Sequence, residues 1–275
     1  MTIPAFMETL PPRSRRRSEL RPGQWVIAGL GGLLVIYYGL PLIALLITQS
    51  PTEIGQRLAD AQVRSAALVS LAAAGTTTVL SALLGAPLAY GLARGDARWT
   101  TPVTALVVLP LVFPPIVSGM LLLSVFGPST WIGSASTAAG MPLTRSFAAV
   151  VLAQTFVASP FTVITAKSAF EGVPRRYEQA SRLLGTSRWT TLRRVTLPLA
   201  GPGVVAGLLL TFARSMGEFG ATLMVAYYPR TLPVQIWVAF TTLGLDNAFP
   251  VAVVLAVLSI LVLMLLNRLR PNAWE

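Results

Sequence analysis

The sequence predicts an all-α integral membrane protein of six transmembrane helices with a helical loop on the cytoplasmic side. Composition is the first ground: 54% of the 275 residues are apolar, only 11% are charged, and mean hydropathy is +0.68. An ordinary soluble domain carries about 25% charged residues. The second ground is segmentation, because the apolar residues gather into runs long enough to cross a hydrocarbon core of roughly 30 Å. The third is the placement of a net charge of +11, which collects in alternate loops as the positive-inside rule requires.

The first run, Trp25–Thr48, follows a tail carrying Arg13, Arg15, Arg16, Arg17 and Arg21. Residues 1–24 read as a basic cytoplasmic tail. The run is longer than a signal-peptide core and lacks an Ala-x-Ala site after it, so it reads as a retained span. The second run, Ala66–Ala93, leads to a loop with Arg94 and Arg98, and the third, Pro102–Phe126, to a loop whose single cation is Arg145. The fourth, Phe147–Ala166, opens onto Lys167, Arg175, Arg176, Arg182, Arg188, Arg193 and Arg194. The fifth, Pro202–Tyr227, and the sixth, Ala248–Asn267, enclose a loop with Arg230 alone, and Arg268 and Arg270 follow the sixth. Both termini are therefore expected in the cytoplasm of a prokaryotic cell, with residues 25–270 forming one membrane domain.

Several function classes are excluded. Without cysteine or histidine there is no disulfide, thiolate or imidazole chemistry, and no carboxylate cluster takes their place, which argues against an enzyme. No G-x-x-x-x-G-K-[ST] loop is present, so the chain lacks that means of binding ATP. Arginines set between apolar runs argue against nucleic acid as a partner. No repeat relates the two halves, so an ion-coupled secondary transporter is not supported.

Helix breakers inside the runs locate special places. Pro110, Pro114 and Pro115 interrupt the third, Pro160 the fourth, Gly217 and Gly220 the fifth. Kinked helices lining a path and ordinary close packing are both consistent with them. Gly203-x-x-x-Gly207 and the small stretch Gly75–Thr78 read as packing faces.

The loop at about 172–200 is the most charged block. Pro174 suits a first helical turn. Tyr177, Ala180 and Leu184 then form an apolar stripe, with Arg175, Arg176, Glu178 and Arg182 over the remaining surface. Gly185 ends that helix. Thr186 or Ser187 caps a second, bearing Trp189, Leu192 and Val195, which Pro198 is expected to stop. An amphipathic helix on lipid headgroups would carry such arginines, but a thin stripe broken at Gly185 fits a protein groove better.

These residues carry a resemblance. Gln179-Ala180-Ser181, three residues, Gly185, nine residues, then Val195-x-Leu197-Pro198 is similar to the EAA signature of ABC-transporter permeases, whose consensus is Glu-Ala-Ala, three residues, Gly, nine residues, Ile-x-Leu-Pro. The departure is Gln179 for Glu, with Glu178 directly before it. The resemblance implies an ABC importer permease fold whose coupling loop docks on a separate ATPase through Tyr177, Glu178, Gln179, Ala180, Ser181, Leu184, Gly185, Leu197 and Pro198. It also implies a second permease copy, two ATPase subunits holding the ATP and magnesium, and an extracytoplasmic oxyanion-binding protein, with no cofactor in this chain.

Leu109–Leu123 and Phe212–Ala226 narrow the family further, since Arg214 followed by Gly217-Glu218-Phe219-Gly220-Ala221-Thr222 resembles the fifth helix of molybdate permeases. Molybdate or tungstate is the implied cargo, with sulfate or thiosulfate the alternative. Arg214 and Glu218 are the charged residues inside an apolar run. Their i, i+4 spacing places them on one face, as a structural pair or as part of a path. Pro114, Pro115, Ser118, Arg214, Ser215, Glu218 and Thr222 are the candidate path residues.

Overall fold

The computed structural model describes residues 22–269, and every regular element in that range is helical. The arginines of the tail through Arg21, and Arg270, lie outside the described residues. The chain divides between Thr48 and Gln49 into two units. The first contains α1, Pro22–Thr48, a continuous helix with Pro41 inside it.

In the second unit, α2 (Pro51–Ala59) precedes α3 (Ala61–Leu80), which continues through one π turn, Ser81–Gly85, into α4 (Ala86–Arg94). Then come α5 (Ala97–Val112), α6 (Pro115–Phe126), α7 (Trp131–Ala138) and α8 (Phe147–Gly172). The loop between α8 and α11 holds α9 (Arg175–Leu183) and α10 (Arg188–Thr191). A second π turn, Leu192–Thr196, joins α10 to α11 (Leu197–Met216), and α12 (Gly220–Val225), α13 (Leu232–Leu243) and α14 (Leu245–Leu269) complete the order. Among the described residues five helices are long and apolar enough to cross a membrane. The third expected span is present as α5 and α6, bent by 117° between Val112 and Pro115, and counting that pair as one broken span gives six.

The longest buried helix, α8, is the centre of the unit. Its apolar residues Ala149, Val150, Ala153 and Val157 pack with Ala73, Leu122, Ala221 and Val225. Further along, Val163, Ala166 and Phe170 pack with Ala89, Leu92 and Val204. The approach of α8 to α11 is close because the facing residues are small. A Cβ added at Gly203 would lie 2.5 Å from the Ala169 Cβ, and one at Gly207 would lie 3.2 Å from the Thr162 Cα. Thr162 and Thr211 share a 2.7 Å hydroxyl contact there, and the Thr211 hydroxyl donates to the Ala158 carbonyl at 3.0 Å. Gly203-x-x-x-Gly207 is thus a packing face, as expected. Of the stretch Gly75–Thr78, Thr77 is buried against α8 with its hydroxyl 3.4 Å from Gln154 Oε1; a Cβ at Gly75 meets nothing within 4 Å, and Thr76 and Thr78 turn their hydroxyls back onto carbonyls of their own helix.

The two π turns correct one expectation. Pro198 does not stop the second loop helix, because Arg188–Met216 is one uninterrupted helix. A proline inside an α-helix lacks its N–H, and its ring collides with the carbonyl four residues back. Here the turn just before it is widened, with the Leu197 N–H donating to the Leu192 carbonyl. The same arrangement precedes Pro87, where the Ala86 N–H donates to the Ser81 carbonyl. In both places the chain tolerates a proline by inserting a π turn.

Three helices lie in stretches that hydropathy assigns to loops. α2 carries a full capping box, with Ser50 and Glu53 bonding reciprocally and Pro51 at the first position. α7 is capped by Thr130. α13 is apolar but only 12 residues long, below the length of a span.

Candidate functional site

The loop between α8 and α11 is built as two short helices around a glycine. Pro174 occupies the cap position of α9, and Leu184 closes it with its N–H toward the carbonyls of Ala180 and Ser181. Gly185 follows with φ +80°, in the left-handed region that only glycine enters without cost. Three hydroxyls then hold the turn: Ser181 lies 2.7 Å from Thr186, and Thr191 lies 3.0 Å from Thr186. Of the two residues expected to cap the second helix, Ser187 does so, accepting from the Thr190 N–H at 3.2 Å.

The main departure from the sequence reading is Glu178. Expected on the outer surface of α9, it is instead the buried residue of that helix, 3% exposed. Its Oε1 accepts from Arg94 Nε at 3.0 Å, from Arg94 Nη2 at 2.9 Å and from the Thr196 hydroxyl at 2.9 Å. Arg182 Nη2 stands 3.8 Å from its other oxygen, and Arg94 also donates to the Val173 carbonyl at 3.0 Å. A buried carboxylate is tolerable only when it is fully paired, and these donors supply the pairing. They come from three places: the end of α4, α9 itself, and the second π turn. Glu178 therefore ties the loop to two membrane helices.

Neither Arg94 nor Thr196 was singled out from sequence. Arg94 reads as a topology-setting charge, and Thr196 is the unspecified position in Val195-x-Leu197-Pro198. The residues turned outward are Tyr177, Gln179, Ala180, Leu184, Gly185, Leu197 and Pro198, with Leu183 and Leu184 more than four-fifths exposed; Ser181 is half-buried in the hydroxyl cluster. Replacing Gly185 with valine forces a β-branched residue to positive φ, at a cost of about 1–2 kcal/mol. Hydrogen exchange should show amides 181–187 opening more readily in Gly185→Val, while those of α8 are unchanged.

The second group of candidate residues sits where two helices break. α11 ends at Met216 and α12 begins at Gly220. Glu218 lies in between, 1% exposed, with Arg214 Nη2 2.5 Å from its Oε2 and the Ala221 N–H donating to Oε1 at 2.9 Å. The i, i+4 pair expected from sequence is thus formed, and the carboxylate also caps α12.

α12 packs on α6 with little room. A Cβ at Gly220 would meet the Pro115 Cβ at 2.8 Å, and one at Gly119 would meet the Ala221 Cα at 3.0 Å. The break in the third span and the break in the fifth therefore adjoin. Ser118, Ser215 and Thr222 are buried, and their hydroxyls have no hydrogen-bond partner among the described residues, while Pro114, Pro115 and Gly217 are exposed and the Arg214 side chain is 28% exposed. Among the described residues no group of His, Cys, Asp or Glu is placed to hold a metal ion.

The family of binding-protein-dependent transport system inner membrane components matches residues 81–272. The chain belongs to this family. Among curated relatives, it is 51% identical over 96% of its length, and 97% of the other's, to a probable molybdenum ABC transporter permease protein of Haloferax volcanii. It is 40% identical over 84% of its length, and 88% of the other's, to the molybdenum transport system permease protein ModB of Mycobacterium tuberculosis. The molybdate/tungstate transport system permease protein WtpB of Thermococcus kodakarensis is 36% identical over 90% of this chain and 97% of that one.

Among solved structures, a bacterial alginate ABC transporter in complex with its periplasmic protein superposes with TM-score 0.73 at 15% identity, covering 92% of this chain and 96% of that one. The MetNI methionine ABC transporter superposes with TM-score 0.59 at 20% identity, covering 76% of this chain and 94% of that one. These likenesses establish the ABC importer permease fold. As an inner membrane component, the chain is a multi-pass transport subunit rather than an enzyme, and it works with a binding protein and an ATPase.

Proposed function

We propose that the chain is the transmembrane permease subunit of an ATP-driven importer for molybdate or tungstate. The observation that carries this reading is the 51% identity to a probable molybdenum permease, sustained over 96% of the chain. No observation favours sulfate or thiosulfate.

Two copies form the path at their common interface. Two ATPase subunits, which hold the ATP and magnesium, dock on the loops at 172–200, and an extracytoplasmic binding protein delivers the oxyanion to the opposite side. Both termini lie in the cytoplasm, which the alternation of arginines supports. Closure of the ATPase pair brings the loops together and rocks the spans between inward- and outward-facing states, a two-state change biased by nucleotide.

Within each copy the path runs beside the adjoining breaks, near Pro114, Pro115, Ser118, Arg214, Ser215, Glu218 and Thr222. Support comes from the partial exposure of Arg214 and from hydroxyls held there without partners. Arg214 attracts the divalent oxyanion, and Glu218 tempers that attraction so that the anion is released. Weak contact suits a conduit, which must not retain what it passes.

The test is uptake of radiolabelled molybdate at nanomolar concentration. The host lacks its own molybdate permease and expresses this chain with its ATPase and binding protein. Unlabelled tungstate is expected to block uptake and excess sulfate to leave it intact. Uptake abolished by sulfate would overturn the assignment of the anion.

A further inference from the structure

We infer that the basic cavity beside α9 receives a carboxylate side chain of the ATPase subunit. This rests on the reading of the loop as the ATPase dock and names the chemistry by which it is recognised. The cavity has a volume of about 500 Å³, and its charged lining is Arg94, Arg175, Arg182 and Arg188 against Glu178. Four guanidinium groups face one carboxylate, an excess of three positive charges.

The single carboxylate is already committed. Glu178 Oε1 takes three donors from Arg94 and Thr196, and Arg94 has its remaining contact on the Val173 carbonyl. Arg182 reaches Glu178 only at 3.8 Å. The guanidinium groups of Arg175 and Arg188 make no hydrogen bond or ion pair among the described residues. Each also stands in the first turn of its helix, Arg175 in α9 and Arg188 in the continuous helix Arg188–Met216. That is the end at which the helix dipole disfavours a cation and favours an anion. Two unpaired cations held at unfavourable ends, on one cavity, are complementary to an incoming negative charge.

Planar forked guanidinium groups match a carboxylate in two-pronged fashion. Gln179 strengthens the bias. It lines the same cavity and is neutral where the EAA signature places Glu, so no further negative charge opposes the guest.

The surroundings favour a protein over a lipid headgroup or a free oxyanion. Trp189, 69% exposed, lines the cavity, and Leu183 and Leu184 stand exposed on the same short helix turn at 89% and 85%. Apolar anchors around a charged recess are the anatomy of a protein interface, where one desolvated charge fixes register and the apolar residues supply contact area. A free oxyanion would use none of these anchors.

The experiment measures binding of the co-expressed ATPase subunit to the purified permease in detergent without anionic lipid, across a salt series. Wild type is compared with R175E/R188E, with the milder R175Q/R188Q, and with Leu183→Asp as an apolar-anchor control. Thermal unfolding of each variant is recorded alongside. Wild-type affinity should fall as salt rises. R175Q/R188Q should weaken binding by about ten-fold and R175E/R188E by more, both losing most of the salt dependence. Leu183→Asp should weaken binding and keep the salt dependence. At least one Asp or Glu to Lys substitution on the ATPase should restore binding to R175E/R188E and not to Leu183→Asp.

If a correctly folded R175E/R188E binds the ATPase as wild type does while Leu183→Asp does not, the carboxylate receptor is overturned and the dock stands. If wild type itself fails to bind the ATPase, the dock falls and the inference with it. If wild type binds only after phosphatidylglycerol vesicles are added, or if micromolar molybdate displaces the ATPase from the cavity, the occupant is a headgroup or an oxyanion, and the inference is likewise overturned.

Discussion

Glu178→Ala should unfold at a temperature several degrees below wild type and should couple poorly to the ATPase. Removing one partner of a buried ion pair leaves the other uncompensated, at a cost of about 3–5 kcal/mol. Arg94, only 13% exposed at its side chain, would keep the Val173 carbonyl alone, and the Thr196 hydroxyl would lose its acceptor. Glu178→Gln should be milder, because an amide oxygen still accepts from Arg94 but carries no charge. Thermal unfolding of the purified permease gives the stability effect. Nucleotide hydrolysis measured together with uptake gives the coupling effect: less anion should be moved for each ATP consumed. Unchanged unfolding and unchanged uptake in Glu178→Ala would show that the loop is held by other contacts.

Glu218→Ala is expected to have the other large effect. It removes the ion pair with Arg214 and the acceptor for the Ala221 N–H at once, so α12 loses its cap and a cation is left inside an apolar helix, at a cost again of about 3–5 kcal/mol. Uptake should fall at least ten-fold. The exchanged pair, Arg214→Glu with Glu218→Arg, distinguishes the two roles open to these residues. An arginine at 218 can meet a glutamate at 214 but cannot accept from the Ala221 N–H, so stability should return only in part. Recovered folding without recovered uptake would assign the Arg214 charge to the passage of the anion. Full uptake by the exchanged pair would leave a structural pair only.

Much of the fold is legible because a bilayer reduces it to length and charge. The first, second, fourth and sixth apolar runs match described spans to within six residues, and the third is the bent pair α5–α6; the fifth is displaced, because the helix there runs Arg188–Met216 and breaks before Gly220. Pro174, Gly185 and Ser187 are legible for a local reason: fixed φ, positive φ and a capping hydroxyl are properties of those residue types wherever they stand. The small contacts of Gly203 and Gly207 follow the same logic.

What was not legible depends on partners distant in sequence. Glu178 on a short, strongly polar helix reads as a solvated charge. Only the return of Arg94, 84 residues earlier, and of Thr196 turns it inward. Pro198 reads as a stop because the pattern shows a missing donor and cannot show that the preceding turn has widened. Gly75 reads as a contact because small residues are the usual means of close approach, although a Cβ there would meet nothing within 4 Å. α13 reads as loop because its 12 apolar residues are too few for a full crossing.

The widened turn before Pro198 has a mechanical consequence. Because it preserves the helix, Arg188 to Met216 is one rod of 29 residues, about 43 Å long at 1.5 Å per residue. One end stands in the loop beside Trp189, and the other reaches the Arg214–Glu218 pair. Glu178 grips the rod at Thr196, roughly a quarter of the way along. The rod therefore joins the loop to the Arg214–Glu218 pair in one unbroken element, held by Glu178 at Thr196 and by α8 at Gly203, Gly207 and Thr211.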